Sequence, residues 1–158
     1  MRFKVFYLNT TDRYPCFIFK YSAGKLILAT ELPEHLATAT AVSRETRQPL
    51  FQAEQQLYGI THAEVGAYLL GVWGLPYTIV EAVANHHAPE RVQQPGLDVV
   101  TAVHVADVLA HECEAHSEAV SSATLNLKYL ASLGLTDRVQ QWRENVQDLK
   151  DEVIQEQP

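Results

Sequence analysis

Proline and glycine divide most of this chain into short helical segments. From Gly24 onward, prolines stand where helices would begin and glycines where they would end. Proline suits the first turn of a helix because that turn leaves its N–H groups unpaired, and glycine readily adopts the left-handed conformation that ends one. The breaks are Pro33, Pro49, Gly59, Gly74, Pro76 and Gly134. Because the pattern between them is helical, the sequence predicts an all-α protein.

Capping signals and apolar spacing place the individual helices. Thr61 followed by Glu64 is the capping-box pattern that starts a helix, and Asp98 is placed to cap a later one. In the helix after Thr61, the residues expected to face the core are Val65, Leu69, Val72 and Trp73. The predicted helices cover residues 24–29, 33–47, 49–58, 61–73, 76–87, 98–112, 124–133 and 137 onward.

The first 20 residues differ from the rest of the chain. Phe3, Val5 and Tyr7 alternate with other residues, and Cys16 begins the short apolar run CFIF. Both patterns fit β-strands, but short apolar runs fit helices too, so the structure of this segment stays open. We therefore divide the chain into an atypical segment 1–20, a helical domain 21–116 and a C-terminal helical extension 117–158.

Apolar residues in the C-terminal extension recur at alternating steps of four and three. This heptad spacing continues for fewer than three repeats, which is short for a coiled coil. The favoured interpretation is an amphipathic helix that packs on the core of its own chain, and the alternative is the seam of a dimer. The residues concerned are Leu135, Val139, Trp142, Val146, Leu149 and Val153.

Charge and cysteine content argue against several classes of protein. The chain of 158 residues has a net charge of −7 and no cluster of Lys or Arg, so direct nucleic-acid binding is not expected. No apolar run approaches the ~18 residues that span a bilayer, and no secretion signal is recognisable at the start. Cys16 and Cys113 lie far apart and form no CxxC motif, which indicates a reduced, cytoplasmic setting.

The histidines point most directly to chemistry. His62 opens one predicted helix, His86 and His87 close the next, and Asp107 lies on the helix that follows. Imidazole and carboxylate groups drawn from three packed helices suit Zn, Fe or Mn. Histidines near helix ends are more often capping or solvated groups, and this is the interpretation that the residues by themselves favour. A metal site is the alternative.

Other catalytic patterns are absent or fail on geometry. His111 and His116 resemble the HExxH zinc motif, but their spacing leaves the second ring about 140° round a helix from the first, so they cannot share a metal ion. Cys113 has only helical neighbours and no oriented base, so a thiol nucleophile is rejected. The sequence contains no GxGxxG, GxxxxGK[ST] or GxSxG pattern.

A family resemblance is carried by residues 59–89, GITHAEVGAYLLGVWGLPYTIVEAVANHHAP, and by the later segment VVTAVHVADVLAHE. HxExGA, WGLP and HHxP at these spacings resemble the HDOD domain family, the HD-related output domains of bacterial signalling proteins. The resemblance covers about residues 22–112 and implies an HD-like helical bundle. Full HDOD domains have several more helices before the Gly-Lys segment, so it also implies a domain truncated in its N-terminal half. Apolar faces left uncovered by that truncation favour a homodimer.

The same resemblance implies that the chain descends from a protein with a metal site. HDOD domains are similar to HD and HD-GYP phosphohydrolases, in which histidines and aspartates hold metals that activate water. Carried over by position, His62, His86, His87 and Asp107 are the counterparts of metal ligands. The His-Asp pair that precedes Gly-Lys in the catalytic relatives is replaced here by Tyr21–Ser22, neither of which is a good substitute. We therefore expect a vestigial or weak site that needs no cofactor or, if it binds one, takes Fe, Mn or Zn.

Two hypotheses of function follow. The favoured one is a non-catalytic, cytoplasmic signal-transduction module that acts through protein–protein contacts. The alternative is a metal-dependent HD-type phosphohydrolase acting on a nucleotide or cyclic dinucleotide, with Lys25 steadying phosphate charge and Asp12 as the nearest candidate to replace the missing pair. An intermediate hypothesis keeps a bound metal or small ligand without turnover, as a sensor. Bound metal and phosphodiester hydrolysis would discriminate between them.

Overall fold

The computed structural model describes residues 23–92, 96–114 and 124–155. Within these ranges the chain is helical and contains no strand, which confirms the all-α prediction. None of the described helices is both long and apolar enough to cross a membrane. The predictions for residues 1–20, including Asp12, and for Tyr21–Ser22 lie outside the described residues. The helices are α1 (Ala23–Glu31), α2 (Pro33–Thr46), α3 (Leu50–Tyr58), α4 (His62–Val72), α5 (Tyr77–Asn85), α6 (Val99–Glu114), α7 (Leu127–Ser132) and α8 (Val139–Gln155), with short 3₁₀ turns at Pro89–Arg91 and Thr136–Arg138.

The helix ends lie where the capping signals predicted them. The Thr61 hydroxyl accepts from the backbone N–H of Glu64, and the Glu64 carboxylate accepts from the backbone N–H of Thr61 at 2.8 Å, which completes the capping box. Asp98 Oδ1 accepts from the backbone N–H of Thr101 at 2.7 Å at the start of α6. Gly59 ends α3 with a φ of 70°, in the left-handed region. Local sequence signals therefore set most of the boundaries.

The predicted start of α7 is wrong. This helix begins at Leu127 rather than at Thr124. The side chain of Asn126 accepts from the backbone N–H of Tyr129 at 3.0 Å, and this cap fixes the first turn three residues later than expected.

The predicted apolar face of α4 is wrong in part. Val72 and Trp73 are exposed, whereas Val65 and Leu69 are half-buried. The buried residues of α4 are His62, Ala63, Gly66 and Ala67. Small residues occupy this side because α4 lies between α1 and α5 and packs against both. Gly24 of α1 approaches so closely that a Cβ there would overlap the carbonyl oxygen of His62.

The helices pack in a row, with a separate aliphatic core at the C-terminal end. α1 packs on α4, α4 on α5, α5 on α6 and α6 on α8, while α2 pairs with α3. The C-terminal core consists of Val105, Ala106, Val108, Leu109, Leu125, Tyr129, Leu130, Leu135, Val139, Trp142 and Val146. Its membership confirms that α8 docks on its own chain through Val139, Trp142 and Val146, and Leu135, which precedes α8, lies in the same core. The side chains of Leu149 and Val153 lie outside the described part of the chain.

Candidate functional site

Three of the four predicted site residues meet where α4 begins and α5 ends. His62 is the first residue of α4, and His86 and His87 follow the last residue of α5. Each ring offers a nitrogen atom, and these atoms lie within 4.8 Å of one another. His62 and His86 are buried, and the His87 side chain is 10% exposed. We call His62, His86 and His87 the histidine cluster.

Glu54 of α3 holds His62 in position. Its Oε2 accepts hydrogen bonds from the Nδ1–H of His62 at 2.6 Å and from the backbone N–H of the same residue at 2.8 Å. The Glu54 side chain is only 2% exposed, and its Oε1 has no hydrogen-bond partner among the described residues. A carboxylate in this place stabilises the His62 tautomer with its proton on Nδ1. The Nε2 of His62 then carries the lone pair.

His87 lies between His62 and Asp107. Its Nε2 is 3.0 Å from the Nε2 of His62, and because His62 offers a lone pair there, His87 donates this hydrogen bond. The ring of Phe51 stacks on His87 with centroids 4.4 Å apart and planes 9° apart. The ring is therefore held on one face by packing and at one edge by a hydrogen bond.

Asp107, the fourth predicted ligand, lies beside the cluster rather than within it. Its Oδ2 is 4.0 Å from the Nδ1 of His87, which is too long for a direct hydrogen bond, and its Oδ1 is 3.6 Å from the Nδ1 of His111. The carboxylate thus faces the edge of His87 that points away from His62.

Two further hydrogen bonds fix the end of α5. The Nδ1–H of His86 donates to the carbonyl of Val83 at 2.8 Å, which leaves the Nε2 of His86 as its lone-pair nitrogen. The Nδ1–H of His104 donates to the carbonyl of His86 at 2.7 Å, and the Nε2 of His104 accepts from the backbone N–H of Asn126 at 3.1 Å. Both nitrogens of His104 are therefore used, and this residue ties α5 to the start of α7.

Burial keeps these imidazoles neutral. Loss of solvent lowers the pKa of His62, His87 and His104, and lowers the pKa of His86 to about 4. The positive charge of Lys25 adds to this effect by lowering the pKa of each member of the histidine cluster. Neutral imidazole is the form that binds a metal ion.

A pocket of about 520 Å³ opens beside the cluster. It lies between α3, the start of α4 and the end of α5, and His87, Phe51 and Arg91 contribute to its wall. Its α3 side also carries the amide side chains of Gln52, Gln55 and Gln56. The pocket is therefore polar on one side and reaches the histidine cluster through His87.

The cluster has the chemistry of a transition-metal site. Among the described residues, its ligand atoms are three imidazole nitrogens with no carboxylate oxygen in the group. Nitrogen donors suit Zn, Fe, Co or Cu better than Mg or Ca, so the residues fit such an ion. Sequence reasoning missed Glu54. The signal that could have found it is a carboxylate beside Ala53 on the buried side of α3.

Comparisons with known proteins agree with the motifs. A sequence model of the HDOD domain matches residues 21–89. A protein of Treponema pallidum (strain Nichols), named "Uncharacterized protein", is 29% identical over 84 residues, a match that covers 51% of this chain and 16% of that protein. No solved structure matches this chain. Residues 21–89 therefore resemble the HDOD domain family.

Proposed function

We propose that this chain is a non-catalytic output module of a bacterial signalling pathway, working in the cytoplasm through protein–protein contacts. The match of residues 21–89 to the HDOD domain supports the signalling role, since these domains are HD-related output modules. The contact that we assign is with a second copy of the chain, through exposed residues of α4 and of the turn into α5.

The observation that carries this proposal is an exposed aromatic surface. Tyr68, Val72, Trp73 and Tyr77 form what we call the α4–α5 surface, with exposures of 76%, 66%, 64% and 74%. Tyr68 and Val72 are four residues apart and share one side of α4, and Trp73 and Tyr77 flank the turn into α5. Aromatic side chains gathered in one exposed region are typical of protein contact sites.

The size and charge of this surface suit a second copy of the chain. Each large aromatic side chain can bury about 150–250 Å², so the three rings supply on the order of 500 Å². That is more than half of the ~800 Å² per partner in a standard interface. None of the four side chains is charged, and the nearest carboxylate that contacts them is that of Glu81, which accepts a hydrogen bond from the Tyr77 hydroxyl at 3.0 Å.

Site-specific photo-crosslinking tests the assignment. A benzophenone amino acid is placed at Tyr77, with a matched control at Gln141, which is exposed on α8. Mixed ¹⁵N-labelled and unlabelled chains separate crosslinks between copies from those within one copy. We expect Tyr77 to link to residues 68–77 of the second copy and Gln141 to give no dimer. Links from Tyr77 only to residues 1–22 of its own chain, or no dimer at all, would contradict the proposal.

One observation favours a second function, metal-dependent phosphodiester hydrolysis. The pocket beside the cluster brings His87 within reach of a small molecule, and Arg91 in its wall offers a positive charge to a phosphate. A bound metal ion would supply Lewis acidity, while the pocket residues would orient the substrate. This alternative ranks second because no carboxylate oxygen joins the three nitrogens among the described residues.

Hydrolysis of bis(p-nitrophenyl) phosphate separates the two functions. The chain is assayed with Mn²⁺, Fe²⁺ or Zn²⁺ beside His86→Ala, which removes a cluster nitrogen, and His111→Ala, which lies outside the cluster. The non-catalytic proposal predicts the same background rate for all three proteins. Turnover that is present in the parent chain and in His111→Ala but lost in His86→Ala would establish the enzyme.

A further inference from the structure

We infer that Glu54 is the positioning residue of the histidine cluster, and that it fixes His62 so that three Nε2 atoms converge as a site for one Zn²⁺- or Co²⁺-like ion. This goes beyond the proposed signalling role. It is also independent of the α4–α5 surface, so either proposal can fail without the other.

Each ring of the histidine cluster directs its Nδ1 towards an oxygen atom that lies outside the cluster. The Nδ1 of His62 faces Glu54 Oε2 at 2.6 Å, that of His86 faces the Val83 carbonyl at 2.8 Å, and that of His87 faces Asp107 Oδ2 at 4.0 Å. With the Nδ1 atoms turned outwards, the Nε2 atoms are the ones left to face one another. Metal-binding histidines are commonly oriented in this way, by an acceptor on the nitrogen that does not bind the ion.

The distances between the nitrogen atoms of the cluster are close to those around a bound metal ion. A tetrahedral ion with Zn–N bonds of about 2.0–2.1 Å holds pairs of nitrogens roughly 3.3 Å apart. The Nε2 atoms of His62 and His87 are already 3.0 Å apart, and the third nitrogen lies within 4.8 Å of both. The separation of the His62–His87 pair has to change by only a few tenths of an ångström, while both rings turn their lone pairs towards the ion and His86 approaches. The arrangement is therefore close to a three-nitrogen site before any ion binds.

Binding an ion requires one proton to move. Without the ion, the Nε2–H of His87 donates to the lone pair of His62, so the His87 Nε2 is blocked. When the ion binds, this proton leaves Nε2 and the neutral ring takes a proton on Nδ1, with no net change in charge. Asp107 Oδ2 faces that nitrogen and is the acceptor available for the new N–H. Asp107 thus acts on the ring of His87, rather than as the ligand that the family resemblance implied.

A purely structural role explains Glu54 less well. Its Oε2 does cap the start of α4 through the backbone N–H of His62, but its Oε1 is buried without a partner among the described residues. An unpaired buried polar atom costs about 1–3 kcal/mol, and a neutral glutamine could make the same cap. A carboxylate makes His62 a more basic ligand, which a neutral amide cannot do.

Zinc titration of the full chain, purified without a histidine tag, tests the inference. Affinity is measured by competition with a chromophoric chelator for the parent chain, Glu54→Gln, Glu64→Gln and His86→Ala. Glu64→Gln is the matched control, because Glu64 stands at the same helix start but is exposed and contacts Thr61 rather than His62. We expect one Zn²⁺ per chain, affinity 10–100-fold lower in Glu54→Gln, none in His86→Ala, and no change in Glu64→Gln.

The state of His62 provides a readout that a merely structural role would not move. In ¹⁵N NMR spectra of the metal-free parent chain, His62 is expected as the Nδ1–H tautomer and His87 as the Nε2–H tautomer, with His87 changing to Nδ1–H on adding Zn²⁺. This measurement stands even if Glu54→Gln fails to fold. A parent chain that binds no more Zn²⁺ than His86→Ala, an unchanged affinity in Glu54→Gln, or a His62 with its proton on Nε2 would overturn the inference.

Discussion

The two ends of this molecule bury different kinds of side chain. The C-terminal core of α6, α7 and α8 buries aliphatic side chains around Trp142, which is 2% exposed. Around α4, the chain instead buries His62, His86, Glu54 and small residues and leaves the His87 side chain only 10% exposed, while Trp73 and its neighbours are exposed. Burying ionisable groups and exposing aromatic ones both work against stability. We therefore assign maintenance of the fold to the C-terminal end, and the proposed contact and the histidine cluster to the α4 end.

The largest effect is expected from Trp142→Ala in the C-terminal core. Removing this buried ring leaves a cavity among packed side chains, and we expect a loss of about 3–5 kcal/mol in the free energy of unfolding. Urea denaturation followed by circular dichroism measures it. A loss below about 1 kcal/mol would mean that α8 is not a structural helix, and the contrast between the two ends would fail.

Gly24→Ala is expected to have the next largest effect, at the α4 end. The added Cβ overlaps the carbonyl oxygen of His62, so α1 must move away from α4, at a cost of about 3 kcal/mol. Gly71→Ala on α4 is the control, because its Cβ would meet only Val80 Cγ1 at an ordinary 3.9 Å. That change should be neutral or slightly stabilising. Equal melting temperatures for the two variants would show that α1 and α4 are not in close contact.

Acid should destabilise the chain through its buried histidines. The pKa of His86 is about 4 in the folded chain and about 6.5 in the unfolded chain, so the unfolded state binds more protons between these values. Stability is therefore complete above pH 6.5 and falls as the pH drops towards 4, with His86 alone contributing about 2 kcal/mol of loss at pH 5. Burial lowers the pKa of His62, His87 and His104 as well, which adds in the same direction.

Urea denaturation at pH 7 and pH 5 measures this loss. The metal-free chain is used at both values, so that release of an ion does not contribute. Equal stability at both values, or greater stability at pH 5, would show that the histidines are not buried in neutral form.

Trp73→Ala should have the smallest effect on stability and serves as the counterpart of Trp142→Ala. The same residue type is removed, but this ring is 64% exposed, so the free energy of unfolding of the monomer should change by no more than about 0.5 kcal/mol. The measurement is made at the lowest practicable protein concentration, so that dissociation does not contribute. A loss comparable to that of Trp142→Ala would place Trp73 in a core and remove the basis for the α4–α5 surface.

Local sequence signals such as helix caps predicted much of the fold. Contacts between helices could not be predicted from the sequence. Thr61, Glu64 and Gly59 act within a few residues of themselves, and each lies where its type predicted. The buried side of α4 could not be predicted from apolar spacing, because the close approach of Gly24 selects small residues there and leaves Trp73 outside. Apolar spacing gives a helix face but not the identity of the neighbouring helix.

The histidines of the candidate site were predictable from the sequence, but the residues that orient them were not. The motifs named His62, His86 and His87, and the structure brings them together. Glu54 acts on His62 from a different helix, and no spacing rule connects them. Asp107 was named as a ligand by position, yet its distance to His87 depends on how α6 packs on α5, which the sequence does not specify.

Sedimentation velocity over a range of protein concentrations tests whether the chain self-associates through the α4–α5 surface. It compares the parent chain with the double variant Trp73→Ser/Tyr77→Ser, with Gln141→Ser as a control on α8. We expect a concentration-dependent dimer for the parent chain and the control, and a monomer with unchanged circular dichroism for the double variant. A parent chain that stays monomeric at every concentration, or a double variant that dimerises as well as the parent, would contradict a module that acts through the α4–α5 surface.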